Sequence, residues 1–373
     1  MGKNKNEKKS LTDNSQSEKP SLGRRILRSL KRFLIWVIIT LVCLMVGLYI
    51  FLYLINKGPS DHFRDLFVAS AKESSVGGVL CDIYLSQDEI NQILKQNNTQ
   101  SLDEITDTSL IHITSSASAN DALYEEEGDT EPEISLCEDP DGDGIDIFDV
   151  HGATYSGKIM IVYDPSRVKV GVCDQFSLEI PGLTLMEICD KYDCVAGING
   201  GKYDDEAGIG TGAMPEGIVI SNGQLMMGDP DTAYGVYGLT YNNVLVVGTM
   251  TANQAISMGV RDAVTFGPAL IVNGRAANMT GAGSGYNPRS AIGQREDGAI
   301  LLLVIEGRCA SSLGATFADI ISIMQEYGAV NAANLDGGMS SSMVYNGEQI
   351  VESCTFTNAR RIPTAFIVEK MDE

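Results

Sequence analysis

The stretch NPRSAIGQREDGAILLLVIEGR, residues 287–308, contains two apolar runs that meet at Asp297-Gly298. Asp-Gly readily supplies the positive φ angles of a tight hairpin turn, and a register centred there puts Arg289 and Glu306 near the same sheet end. Three more stretches carry an Asn-Gly turn between apolar or alternating runs: GIVISNGQLMM (217–227), ALIVNGRA (269–276) and SMVYNGEQIV (342–351). Four hairpins of this kind predict a domain rich in antiparallel sheet.

Two helices interrupt it. TLMEICDKY (184–192) starts at Thr184 with Glu187 three residues on. TFADIISIMQEYG (316–328) starts at Thr316 with Asp319 three on, and sets Phe317, Ile320, Ile321 and Met324 on one face. Both have the form of a capping box, the second with Asp in place of Glu, and Gly328 can end the second helix. Each helix leads to a similar segment, VAGINGGKY (195–203) and NAANLDGGMSS (331–341). Two readings stand: a pseudo-repeat that brings two loops to one site, or two similar helix-to-strand connections. The expected fold class is α+β, a mixed, largely antiparallel sheet with a few packed helices, preceded by one transmembrane helix.

That helix is FLIWVIITLVCLMVGLYIFLYLI, residues 33–55, which carries no charge. At the helical rise it spans ~34 Å, enough to cross the hydrocarbon core. A cleaved signal peptide would have a shorter apolar core and a small-residue cleavage site, and NKGPSDHF after the run offers none. Residues 1–32 hold ten Lys or Arg against three acids, so the positive-inside rule puts them in the cytoplasm and the rest outside. The expected organisation is a basic cytoplasmic tail (1–32), the membrane helix (33–55), a stalk or small helical subdomain (56–100), an acidic linker (101–147) and the main domain (148–373).

Net charge is −22, hence −29 beyond the basic tail. Phosphate-backbone binding needs Lys and Arg patches, so no nucleic-acid partner is expected, and the tail suits anionic lipid. Of eight cysteines seven lie outside the span, an odd number without zinc-type spacing. In DPDGDGIDIFD, Asp139, Asp141 and Asp143 alternate as in a calcium loop, but Val150 stands where the twelfth-position acid belongs. An acidic linker running into a first strand is the expectation there, with no metal and no cofactor.

The chain has three histidines, His62, His112 and His151, no GxSxG elbow and no paired-His zinc motif. Catalysis therefore falls to carboxylates, arginines and backbone. Gly337-Gly338 and Gly200-Gly201 can aim successive N–H groups at one point as an anion nest, with Ser340 and Ser341 adding hydroxyls. Arg289, Glu306, Arg308, Arg360 and Arg361 all stand at predicted strand ends.

Taken together, AGINGGKY, PEGIVISNGQL, FGPALIVNGR, NPRSAIGQREDGAILLLVIEGR, GATFADIISIMQEYGAVNAANLDGGMSSSMVYNGE and RIPTAFIV resemble, in content and order, the phosphodiester glycosidase family, over about residues 150–370. That family includes membrane-anchored bacterial members associated with exopolysaccharide. The resemblance implies hydrolysis of a sugar joined through its anomeric carbon to a phosphodiester. By matching motif it implies site roles for Asn199, Gly200, Gly201, Arg289, Arg308, Asp336, Gly337, Gly338 and Ser341. Tyr203 matches an aromatic after the first glycine pair, while Met339 replaces a third glycine of the second.

A phosphate monoester, with a second pKa near ~6, leaves far more easily than a sugar alkoxide, so strong general-acid help is less necessary. A carboxylate is still needed. The expected catalytic residues are Asp336, then Glu306, with Arg289 on the phosphate; the expected substrate-binding residues are Asn199, Gly200, Gly201, Tyr203, Arg308, Gly337, Gly338, Ser340, Ser341 and Arg361. The expected partners are a glycan-phosphate substrate and, through the N-terminal helix, membrane lipid. The rival readings are a non-catalytic glycan-binding or scaffold protein of exopolysaccharide assembly and a calcium-dependent adhesin.

The basic tail generates a topology test. A membrane-impermeant amine reagent on intact cells is expected to label lysines beyond Lys57 and spare Lys3 to Lys31. Labelling of the tail would reverse the orientation.

Overall fold

The structure, a computed structural model, describes residues 22–73, 77–100, 102–113, 142–204, 210–281, 284–309, 311–352 and 359–371. Asp139, Asp141, Cys137, Cys354 and the tail before residue 22 lie outside these. The chain divides into two compact units, Met1–Leu54 and Ile55–Glu373. In the first, the helix Leu22–Lys57 begins; it is long and apolar enough, by length and composition, to cross a membrane, and most of its large apolar side chains are exposed.

The second unit is α+β. A seven-stranded sheet runs, edge to edge, through Arg275–Ala276, Ala269–Val272, Ala329–Leu335, Arg289–Arg295, Ile300–Ile305, Ser156–Val162 and Ile145–His151. One five-stranded sheet has Cys194–Asn199 at its centre, between Ser342–Tyr345 and Thr364–Glu369. The other has Val260–Thr265 at its centre, between Val219–Ser221 and Tyr234–Thr240. Every pairing among the described strands is antiparallel. All three sheets contribute to one apolar core, with Met160, Leu302, Leu335, Ile198, Phe366, Val247 and Val264 buried together.

All four expected hairpins form. Asn222-Gly223, Asn273-Gly274 and Asn346-Gly347 each take paired positive φ, and Gly298 takes φ +97° at the fourth turn. Asn tolerates the left-handed region better than most residues, and the following glycine occupies it without steric cost. Both predicted capping boxes also form, Thr184 with Glu187 and Thr316 with Asp319.

The seven-stranded sheet is buried on both faces. On one, the helix Phe317–Glu326 packs Phe317, Ile320 and Met324 onto Leu301, Leu303 and Ala332. On the other lies the shared core. Burial on both faces is why Ile300–Ile305 reads as an unbroken apolar run rather than an alternating one.

Residues 56–100 form the helices Asp61–Lys72, Gly78–Cys81 and Gln87–Gln96 around their own small core of Val68, Cys81, Leu85, Ile90 and Ile93. The following strand Thr99–Gln100 pairs with Asn278–Met279, so this region is seated on the sheet domain. The early part of the acidic stretch is seated there too: Thr106 N–H and Oγ1 both bond Val247 O, and Val247 N–H donates to Thr106 Oγ1 at 2.9 Å. Asp143 is held by the chain itself, its carboxylate accepting from Ile145 N–H (2.8 Å) and Tyr345 Oη–H (2.6 Å).

Thr106 gives the test of this packing. Thr106→Val keeps the shape but leaves the buried Val247 N–H without its acceptor, so a loss of about 1–3 kcal/mol is expected in chemical denaturation. Unchanged stability would mean that the 102–113 segment contributes little to holding the domain.

Candidate active site

The hairpin register places the site. Arg289 stands opposite Ile305 and Ser290 opposite Leu335, so Arg289, Glu306 and Asp336 emerge at one end of the seven-stranded sheet. Just beyond that end is a cavity of about 490 Å³, within the usual range for a small-molecule site. Among the described residues, three arginines line it, Arg289, Arg308 and Arg360, as do two carboxylates, Glu73 and Asp336. Phe266, Pro268, Phe317 and Met339 supply apolar wall.

Asp336 is fixed through its backbone. Its N–H donates to Gly200 O (3.1 Å), and its carbonyl accepts from Asn199 Nδ2 (2.5 Å). Asn199 is fully buried and its Oδ1 accepts from Ser290 Oγ (2.7 Å) and Ser342 N–H (3.2 Å). The two helix–strand–loop segments therefore do meet at one place, the end of one clasping the end of the other. Asn199 acts from behind the loop and is not part of the cavity wall.

Arg289 is buried, with its guanidinium 4.1 Å from the centre of the Phe317 ring. Nε donates to Ala315 O (3.4 Å), Nη2 to Gly285 O (3.1 Å), and Nη2 pairs with Glu73 Oε2 at 2.8 Å. Burial pulls its pKa below the usual arginine range, and the Glu73 charge opposes that shift. Arg308, at φ +60°, donates to Asn287 Oδ1 (3.1 Å) and Glu73 O (3.4 Å). Asn287 in turn donates from Nδ2 to Glu73 Oε2 (2.7 Å).

Tyr203 lies across from them. Its hydroxyl bonds Ser340 Oγ (2.9 Å) and accepts from Arg360 Nε (2.8 Å). Burial first, and the Asp336 charge second, push its pKa up to about 12, against the opposing hydrogen bonds of Arg360 and Ser340.

Several expected residues sit elsewhere. Gly200 N–H donates to Thr364 O and Gly201 N–H to Thr364 Oγ1, both at 3.0 Å, so neither forms an anion nest. They are glycines for close approach: a Cβ would lie 2.6 Å from Thr364 Oγ1 at Gly200 and 2.7 Å from Thr265 O at Gly201. Gly338 N–H is likewise taken, by Pro288 O (3.0 Å). Gly337 and Gly338 line the cavity, as does Ser340, while Ser341 is wholly buried beneath.

Glu306 is not among the lining residues; its carboxylate accepts from Ser156 Oγ (3.0 Å). Arg361 also lies off the wall, paired with the capping Glu187 (2.9 Å) and donating to Gly182 O (2.7 Å). Its neighbour Arg360 takes the wall position. Sequence reasoning missed Glu73, Asn287 and Asn334. Asn287 and Asn334 stood inside quoted motifs, and nothing in the chain pointed to Glu73. No group of three or more His, Cys, Asp or Glu placed to hold a metal occurs among the described residues.

Residues 192–369 match the family model described as phosphodiester glycosidase. Among curated proteins, the SPbeta prophage-derived uncharacterized protein YomE of Bacillus subtilis (strain 168) is 38% identical over 103 residues, 26% of this chain. This chain spans 16% of the length of that relative. Among solved structures, the catalytic domain of zebrafish N-acetylglucosamine-1-phosphodiester alpha-N-acetylglucosaminidase, auto-inhibited by its pro-peptide, is similar at a TM-score of 0.50 and 20% identity. That match covers 61% of this chain and 82% of the other, a likeness of fold. A hypothetical protein from Synechocystis matches at a TM-score of 0.43 and 18% identity, over 60% of this chain and 62% of its own.

Tyr203 carries a pH prediction. An unfolded phenol titrates near about 10, and the folded one at about 12. The proton is thus lost on unfolding between these values: the contribution is fully present below about pH 10 and is lost as pH rises toward about 12. Tyr203→Phe is expected to flatten the fall in melting temperature across that window. An unaltered slope would show that Tyr203 is not held neutral by its surroundings.

Proposed function

We propose, from the premise that residues 192–369 belong to the phosphodiester glycosidase family, that this cavity hydrolyses a glycosyl phosphodiester of a cell-envelope or extracellular glycan. The observation that carries the reading is the placement of Asp336, backbone-clasped from both sides, in a cavity it shares with three guanidinium groups.

In this reading the guanidinium cluster takes the phosphate. Charge-assisted hydrogen bonds from arginine are about twice as strong as neutral ones, and an arginine fork matches two phosphate oxygens. Asp336 supplies negative charge where the anomeric carbon becomes oxocarbenium-like. The bond between the anomeric carbon and the phosphate oxygen breaks, water oxygen bonds to the carbon and gives up one proton to the departing phosphate, and the phosphate leaves as a monoester. Phe266, Pro268 and Met339 offer apolar surface to the sugar or its substituents. The N-terminal helix anchors the chain in lipid, its tail in the cytoplasm and the site outside.

The measurement is steady-state kinetics on a chromogenic glycosyl phosphodiester, with melting curves to show that variants fold. Asp336→Asn keeps size and removes charge; turnover is expected to fall at least about a hundredfold, roughly 2.7 kcal/mol of transition-state stabilisation, with affinity nearly kept. Arg289→Ala is expected to lower affinity as well as turnover, because the anion contact precedes reaction. A folded Asp336→Asn protein with near-normal turnover would return the loop to the status of a structural turn. Binding of a glycan-phosphate without turnover by the unaltered protein would favour the scaffold reading.

A further inference from the structure

Glu73 lies far ahead of the family segment, at the C-cap of the helix Asp61–Lys72. That helix end is pressed onto the backbone that precedes Arg289. Tyr286 N–H donates to Ser70 Oγ (2.9 Å), and a Cβ on Gly285 would lie 2.1 Å from Ser70 N. The Glu73 carboxylate then contacts both Arg289 (2.8 Å) and Asn287 (2.7 Å) inside the cavity.

Charge decides what this does. Lys202 at the cavity is ion-paired with Glu216. Glu73 lowers the positive charge of the cavity by one. Its repulsion of a doubly charged ligand is about twice its repulsion of a singly charged one at the same distance. A phosphodiester carries one negative charge, whereas a phosphomonoester carries about 1.5 to 2 near neutral pH. In a partly desolvated cavity an unmatched charge counts far more than it does in water, and rejection by a built-in repulsive group is a standard source of discrimination.

We propose that Glu73 is a specificity-determining residue that sets the charge capacity of the anion site. With Glu73 in place the site accepts a singly charged phosphodiester and repels a doubly charged phosphomonoester. The inference rests on the cavity being an anion site, as in the proposed function. It deepens that function, because hydrolysis of a diester yields a monoester, and repulsion of the product would favour its release.

The test is calorimetric binding of dimethyl phosphate and methyl phosphate to the full, detergent-solubilised chain near pH 8, where the second is doubly charged. No turnover is needed. The unaltered protein is expected to bind methyl phosphate no more tightly than dimethyl phosphate. In Glu73→Gln the ratio of the two dissociation constants is expected to move at least about tenfold toward methyl phosphate, while Glu73→Asp keeps the original ratio. Melting curves report whether each variant folds.

Equal tightening of both anions in Glu73→Gln would overturn the proposal, since Glu73 would then merely occupy the anion's seat. So would an unchanged ratio, or an unaltered protein that prefers methyl phosphate tenfold. A shifted ratio in a protein without glycosidase turnover would support the charge rule and sink the glycosidase reading. An unaltered protein that binds neither anion would overturn both.

Discussion

The site depends on one clasp between two sheets. Asn199 ends a strand of a five-stranded sheet, Asp336 follows a strand of the seven-stranded sheet, and reciprocal hydrogen bonds tie the two chain segments at their ends. Because Asn199 is fully buried, each of its amide atoms must find a partner, and the available ones are Asp336 O, Ser290 Oγ and Ser342 N–H. Those three lie on three different segments. One side chain thus fixes the entry to the Asp336 loop, its exit, and the adjacent strand that carries Arg289. The glycines after Asn199 allow the close approach, since a side chain there would strike Thr364 or Thr265.

Arg289 adds a second constraint. A buried guanidinium is tolerated only when its charge and its donors are both matched. Here the face of Phe317 lies against it, two carbonyls accept from it, and Glu73 supplies the counter-charge. Phe317 opens the helix capped by Thr316, and Ala315, whose carbonyl accepts from Arg289, immediately precedes that cap. The helix start and the arginine therefore position one another, and the N-terminal helical region is drawn in to balance the charge.

Much of this was legible in the chain. Asn-Gly and Asp-Gly turns fix hairpins because few residue pairs tolerate those φ angles, and the turn register then carried Arg289 to the correct sheet end. Thr at the helix starts announced both capping boxes. Three things were not legible, each for a physical reason. Paired glycines serve an anion nest and a close backbone approach equally well, and only the structure shows the N–H groups of Gly200 and Gly201 bonded to Thr364 and that of Gly338 to Pro288 O. Adjacent arginines point differently, and only the structure shows Arg360 on the cavity wall while Arg361 braces Glu187. Glu73 reaches Arg289 across more than two hundred residues, and no periodicity links them.

The acidic character of the chain is compatible with an anionic ligand because the relevant distances differ. Beyond the basic tail the chain carries a net −29, yet exposed charges more than about 8 Å away are largely screened at physiological salt. Contacts inside the cavity, such as Arg289 with Glu73 at 2.8 Å, are far shorter than that screening distance. For an anionic ligand, discrimination would therefore be set by the few groups that touch it, while the outer charge would act mainly on the rate of approach, an effect that weakens as salt rises.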